Sequence, residues 1–250
     1  MIGISQDPSM WAVENLALKA AACRANVLLE GESGVGKAFI ARRIHQASVA
    51  AGKGFFTLFC LPGGERRIEP ISLCEHLRQL QRYYGTIHVR GVDLLDGLGQ
   101  RELLTLLDER DRSTEASLRG PSEHGRLIFS SQKDLRAECE RGRYLKQLYL
   151  RVSVITIQVP PLRRREGDIV NLASHFVSVY AHRESKRIRG LSPDAQHLLR
   201  RLAWEGNIHE LKNAMNHAVV MAEDGTVLSA GMLRGVIAQA DGWSAQSALS

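Results

Sequence analysis

Gly31-Glu32-Ser33-Gly34-Val35-Gly36-Lys37-Ala38 follows the apolar run Val27-Leu28-Leu29 and opens into Phe39-Ile40-Ala41-Arg42-Arg43-Ile44. The run reads as a buried strand and the segment after it as a helix, so the glycines fall on a strand-to-helix turn. That is the setting a phosphate-binding loop needs. Glycines let consecutive backbone N–H groups converge on one anion, the helix N-terminus adds its partial positive charge, and Lys37 can reach the outer phosphates. The pattern ordinarily ends in Ser or Thr, whose hydroxyl helps to hold Mg²⁺. Here it ends in Ala38, and a methyl group ligates no metal. Binding a nucleotide and acting on it are therefore separate questions for this chain.

Outward from the loop, strand signals alternate with helical ones. Residues 9–23 read as helix and 26–30 as strand. Phe55-Phe56-Thr57-Leu58-Phe59-Cys60, Gly85-Thr86-Ile87-His88-Val89, Arg126-Leu127-Ile128-Phe129-Ser130 and Val154-Ile155-Thr156-Ile157-Gln158-Val159 read as further strands. Leu103, Leu104, Leu106 and Leu107 mark a helix between the third and fourth. The alternation predicts a mostly parallel sheet with helices on both faces and a ligand at the carboxyl ends of the strands. Pro160-Pro161 closes this region, since proline continues neither a ladder nor a helix interior. Beyond it only helices are expected. One, over 167–183, carries Ile169, Leu172, Phe176, Val179 and Tyr180 on one face; another starts at Ser192-Pro193; a third runs from its cap Asn207 to Ala222; the last covers 229–239. The expected organisation is an α/β phosphate-loop domain over 1–162, a small all-helical domain over 163–240, and a frayed polar tail over 241–250.

Composition sets limits. The 250 residues, 44% hydrophobic, suffice for a full core. A net charge of +6 is compatible with nucleotide or nucleic-acid contact, though an arginine-rich solvated surface explains it as well. Cys23, Cys60, Cys74 and Cys139 have no CxxC spacing and read as reduced, mostly packed thiols. The nine histidines form no HxxxH and pair with no cysteine at ligand spacing, so no metal site is expected. Ser33, Ser130 and Ser131 lack a nucleophile elbow. Trp204 reads as a core anchor. Glu14 and Lys19 break the only candidate signal segment, and no apolar run reaches bilayer length, so a cytoplasmic location is expected.

Several segments occur together in an informative order. Ile2-Gly3 with Pro8-Ser9-Met10 opens the chain, Leu29-Glu30 leads into the loop, and Ile40-Ala41-Arg42-Arg43-Ile44-His45 follows it. Leu148-Tyr149-Leu150-Arg151-Val152, Pro160-Pro161-Leu162-Arg163 and Trp204-Glu205-Gly206-Asn207-Ile208-His209-Glu210-Leu211-Lys212-Asn213-Ala214 come later. With these, nearly the whole chain resembles the AAA+ domain of bacterial enhancer-binding proteins, the activators of sigma-54 RNA polymerase. The resemblance implies an α/β AAA+ domain followed by a helical lid. It implies that Gly31, Glu32, Ser33, Gly34, Val35, Gly36, Lys37 and Ala38 hold ATP or ADP, that Arg163 faces nucleotide or lid, and that His209 occupies the sensor II position. Arg151 falls where an arginine finger reaches a neighbouring subunit.

The departures from the family pattern converge on one reaction. The residue after the loop lysine is usually Glu in the family and is Ala38 here. The family's third strand ends in Asp-Glu, which positions Mg²⁺ and polarises the attacking water; here it ends in Arg90-Gly91, a cation and a hydrogen. Asp93 and Asp96 lie just beyond and read as solvated loop residues. Gln132 falls at the sensor I position, Leu145 replaces the first finger arginine, and His209 replaces the sensor II arginine with loss of a bidentate fork. The sigma-54-contacting Gly-Ala-Phe-Thr-Gly-Ala loop of the family is absent from Leu61–Tyr84, where 71–83 reads as a single helix. In the family a sensory segment precedes the AAA+ region and a helix-turn-helix follows it; neither is expected within residues 1–250.

The expectation is a degenerate AAA+ domain that binds ATP or ADP and hydrolyses it poorly or not at all, with no catalytic residue, no metal site and no firm need for Mg²⁺. It would regulate transcription by forming oligomers with like or active AAA+ subunits and touching the transcription machinery, without a DNA-binding module or a membrane segment. Two alternatives stand beside it: a working ATPase activator with unorthodox catalytic residues, and a nucleotide-independent interaction scaffold.

Overall fold

Helices that cover both faces of a sheet leave its inner strands no exposed side, and the three central strands follow that rule. In the computed structural model, which describes residues 5, 7–60, 77, 79, 85–116 and 125–237, β1 (Val27–Glu30) and β4 (Arg126–Ser131) are buried throughout, and β3 (Thr86–Arg90) is buried up to its last residue. The edges, β2 (Phe55–Phe59) and β5 (Ile155–Gln158), are more open. The order is β2-β3-β4-β1-β5 and every pairing is parallel, as the alternation of signals predicts. Each strand lies within a residue or two of its expected position. The register sets Glu30 beside Ser131 and Arg90 beside Ser130, which aligns the carboxyl ends. The Ile2-Gly3 pair, the interval 61–84 apart from Leu77 and Gln79, with it most of the helix expected over 71–83, and the tail after 240 lie outside the described residues.

The contacts divide the chain into an α/β unit, Ala12–Glu32 with Gly36–Val159, and a helical unit, Met1–Trp11 with Ser33–Val35 and Pro160–Ser250. The α/β unit carries α2 (Lys37–Gln46), α3 (Gly97–Ala116), α4 (Leu135–Glu140), α5 (Lys146–Val152) and most of α1 (Pro8–Ala21). Leu28, Ile87, Val89, Leu127 and Phe129 of the sheet pack with Leu103, Leu106 and Leu107 of α3 and Leu148 and Val152 of α5. Arg126 starts β4 as a buried cation. Its guanidinium donates to Ala20 O at 2.6 Å, closing the C-terminal end of α1 where helix carbonyls lack partners.

In the helical unit, α6 (Glu166–Arg183), α7 (Pro193–Arg201), α8 (Asn207–Met221) and a last helix from residue 230 to at least 237 share one core. Ser192 caps α7 through Ala195 N, with Pro193 in the first turn as expected. Trp204 anchors the core at 2% exposure and donates its indole N–H to Leu199 O. Two expectations fail here. Val179 is exposed, and Val177 takes its place in the buried face of α6. Asn207 does not cap α8 with its side chain. Gly206 is the cap residue, and Glu210 reaches back to Gly206 N at 2.8 Å.

Candidate phosphate-binding site

The loop conformation depends on glycine at three places. Gly31, Gly34 and Gly36 have φ of 148°, 77° and 103°, a region that L side chains rarely adopt. Lys37 begins α2, and its ammonium donates to the carbonyls of Gly31 and Glu32. Burial lowers its pKa to about 8, and Arg90 adds to the effect while Asp93 and Glu32 oppose it. At the end of β1, the Glu30 carboxylate is buried. It accepts from Leu135 N at 2.9 Å and from the Gln158 amide, and burial raises its pKa.

Side chains alternate along β3, and Thr86, His88 and Arg90 share the face that meets α2. Thr86 Oγ1 is 2.9 Å from His45 Nδ1 of α2, and the Phe55 ring lies 5.3 Å from His45 and 6.3 Å from His88. His88 is fully buried, with Nε2 near Ser130 Oγ. Burial, then Arg90, Lys37 and Arg42, hold its pKa down to about 3, so the ring is neutral. Arg90 ends the strand with its guanidinium 5.0 Å from the centre of the Phe59 ring. Gly91 follows at φ 77° and ψ 37°, fixed by Gly91 N to Ser130 O at 2.8 Å and Leu94 N to Gly91 O at 2.9 Å. A Cβ there would sit 3.0 Å from Leu94 Cδ1. Ala38, Arg90 and Gly91 thus offer no side-chain oxygen to a divalent cation. Among the described residues no group of three or more His, Cys, Asp or Glu is placed to hold a metal.

Asp93 and Asp96 are not merely solvated. Asp93 Oδ1 accepts Gln132 N at 3.1 Å, tying the turn after β3 to the segment after β4. Asp96 accepts Gly99 N at 2.8 Å at the start of α3. The Gln132 side chain is exposed.

The loop tip, Ser33–Val35, belongs to the helical unit and is held there by three groups. Asn207 Nδ2 donates to Ser33 O at 2.9 Å, Ile208 N to Gly34 O at 3.1 Å, and Arg165 Nη2 to Val35 O at 2.9 Å. A Cβ on Gly34 would lie 2.4 Å from Gly206 O and 3.2 Å from the His209 ring, so this glycine is required by space as well as by φ. Asn207 is fully buried at φ 55° and also accepts Leu162 N at 2.8 Å. Of the run Arg163-Arg164-Arg165, the third is buried and the first two are exposed. Asn207 and Arg165 escaped the sequence reading: Asn207 looked like a cap, and nothing in three successive arginines tells which one turns inward.

The remaining site residues fall as follows. His209 is exposed beside Gly34. Arg151, the expected interface arginine, is engaged within its own chain by Asp108 at 2.8 Å and by Asp111. Leu145 N donates to buried Gln100 Oε1, in the turn where Arg141 and Arg143 pair with Glu138. Of the three described cysteines, none in a disulfide, Cys60 is buried, Cys139 half-buried and Cys23 exposed. No described helix is long and apolar enough to cross a membrane.

The parallel five-stranded order, the glycine loop and the helical unit agree with two family models. The sigma-54 interaction domain matches residues 6–162, and the AAA+ ATPase lid domain matches 163–248. The chain belongs to the AAA+ domains of sigma-54-dependent activators. Transcriptional regulatory protein ZraR of Klebsiella oxytoca is 35% identical over 231 residues, covering 87% of this chain and 52% of ZraR. Nitrogen fixation protein AnfA of Azotobacter vinelandii is 32% identical over 238 residues, covering 90% and 45%. The AAA+ chain thus spans about half the length of these curated relatives. Among solved structures, NtrX from Brucella abortus in complex with ADP superposes with a TM-score of 0.77 at 22% identity, over 93% of this chain and 55% of NtrX. A second NtrX structure, in complex with ATP, gives 0.76.

Proposed function

We propose that this AAA+ domain binds ATP or ADP at its phosphate loop without hydrolysing it, and that it regulates transcription as a non-hydrolysing member of an AAA+ assembly. One observation carries the proposal: β3 ends in Arg90 and Gly91 follows it, at the two positions where the family pattern has carboxylates, and Gly91 sits in a left-handed turn. The backbone there suits glycine, and a side chain at this position would be strained. For binding, the support is the loop itself, with Gly31, Gly34 and Gly36 in the conformations that let N–H groups face an anion, and Lys37 at the start of α2. Similarity to NtrX, whose structures contain ADP and ATP, points the same way.

A bound nucleotide would supply phosphate oxygens as acceptors. Lys37 would exchange the Gly31 and Glu32 carbonyls for them, and the backbone of Glu32, Ser33, Val35 and Ala38 would complete the cradle. Arg163 and His209 enter from the family pattern as residues of the helical unit. Neither Arg90 nor Gly91 can polarise a water, and Asp93 beyond them is engaged by Gln132 N, so the phosphates would be held and not cleaved. The proposed assembly draws on Arg151, which would have to leave Asp108 and Asp111 to reach a neighbouring subunit.

Calorimetry with ATP and ADP, together with a steady-state phosphate-release assay, tests the proposal. Binding with turnover at background is expected. Turnover near one per second that disappears in Lys37→Ala would establish a working ATPase, and no binding of either nucleotide would leave the scaffold alternative.

A further inference from the structure

The end of β3 does more than lack carboxylates; it presents a cation. Arg90 lies on the face of β3 that meets α2, the helix that Lys37 begins. Its guanidinium rests against the Phe59 ring, and among the described residues it has no carboxylate partner. A ring contact leaves the N–H groups of a guanidinium unspent, and five donors in a planar fork suit phosphate oxygens. Arg42 of α2 lies over the Phe55 ring at 4.8 Å, at the other end of the β2–β3 pair, and the buried His88 ring between stays neutral. Glu32 and Asp93 oppose this charge, and Asp93 already accepts Gln132 N.

We propose that Arg90 takes the place of the divalent cation, so that Arg90 and Lys37 together hold the metal-free polyphosphate of a nucleotide and disfavour its magnesium complex. This rests on the nucleotide-binding proposal above. A magnesium-bound triphosphate carries two fewer negative charges and brings a cation toward two others, with no protein oxygen from Ala38, Arg90 or Gly91 to receive it. The metal that ordinarily strengthens binding at such a loop weakens it here.

The test is titration of the full chain with ATP, in excess EDTA and in excess MgCl₂, with folding of each variant checked by circular dichroism. The unmodified chain should bind more tightly in EDTA, with Mg²⁺ weakening binding about tenfold. Arg90→Ala should lose about tenfold in EDTA and respond little to the metal. Arg90→Asp, which removes the cation and returns a carboxylate, should reverse the sign and bind more tightly with Mg²⁺. Equal or tighter binding of the unmodified chain with Mg²⁺, or an Arg90→Ala affinity in EDTA equal to the unmodified one, overturns the substitution of arginine for metal and leaves nucleotide binding intact. No binding in either buffer overturns the nucleotide-binding proposal, and this one with it.

Discussion

Replacing Gly91 by alanine puts a Cβ on a residue held at φ 77° and ψ 37°, directly after the strand end that decides the chemistry. For an L residue this conformation costs about 1–2 kcal/mol. The new Cβ would also meet Leu94 Cδ1 at 3.0 Å, a contact a flexible leucine can relieve for a few tenths more. Against this, alanine reduces the entropy of the unfolded chain and returns about 0.4–1 kcal/mol. A net loss near 1 kcal/mol is expected. Two hydrogen bonds, to Ser130 O and from Leu94 N, keep the turn from relaxing to negative φ. Urea denaturation should show a lower midpoint with unchanged slope, and Gly91→Asn should lose less because asparagine tolerates the left-handed region. Equal or greater stability for Gly91→Ala would refute the idea that the backbone after β3 calls for glycine. The result bears on function, because a glutamate restored at this position would begin with the same strain.

Asn207→Ala should destabilise the chain by about 2–4 kcal/mol, since it leaves Leu162 N without its acceptor and places alanine at φ 55°; a thermal-denaturation loss under about 1 kcal/mol would show that other groups take over. Arg143 and Arg141 hold the Glu138 carboxyl down to about 2, from an ordinary 4.5. Its stabilisation is therefore present above the unfolded value and lost as pH falls from there toward 2, and acid titration of Glu138→Gln should show a shallower decline than the unmodified chain. Nucleotide affinity should fall about tenfold between about pH 7 and about pH 9, as the Lys37 ammonium, with its pKa near 8, loses its proton; a flat profile by calorimetry would contradict it.

The sheet was legible because its strands are short apolar runs between turn residues, and covering helices impose that pattern whatever the family. The phosphate loop was legible because three glycines and a lysine at fixed spacing have few other uses. What escaped was the set of polar groups that depend on partners distant in sequence. Glu30 reads as the last residue of a strand, yet its carboxylate is buried because Leu135 N, over a hundred residues on, supplies a donor. Arg126 reads as a strand's charged flank and instead closes the end of α1. Asp93 reads as a loop carboxylate until Gln132 N is found on it. Spacing carries periodic burial well and single long-range hydrogen bonds not at all.

Whether the loop persists to bind a ligand or only to fold can be decided at Lys37. Much of the loop is needed by the fold itself: Gly34 has no room for a Cβ, and the carbonyls of Ser33, Gly34 and Val35 each accept a hydrogen bond within the helical unit. A purely structural loop would therefore keep these residues in any case. It makes no such demand of Lys37, whose ammonium finds two carbonyls while burial and Arg90 lower its pKa. A lysine whose folded pKa is depressed opposes folding fully below about pH 8. The penalty fades as pH rises from there toward the ordinary value of 10.5, because the unfolded chain then binds more protons than the folded one. Lys37→Met keeps the length and the apolar stem without the charge. If the lysine is kept for a ligand, this variant should be at least as stable as the unmodified chain at neutral pH, the gain should shrink as pH rises through that window, and nucleotide binding should be lost. Marked destabilisation by Lys37→Met at neutral pH would mean that the two carbonyl contacts serve the fold, and the lysine would cease to argue for a ligand.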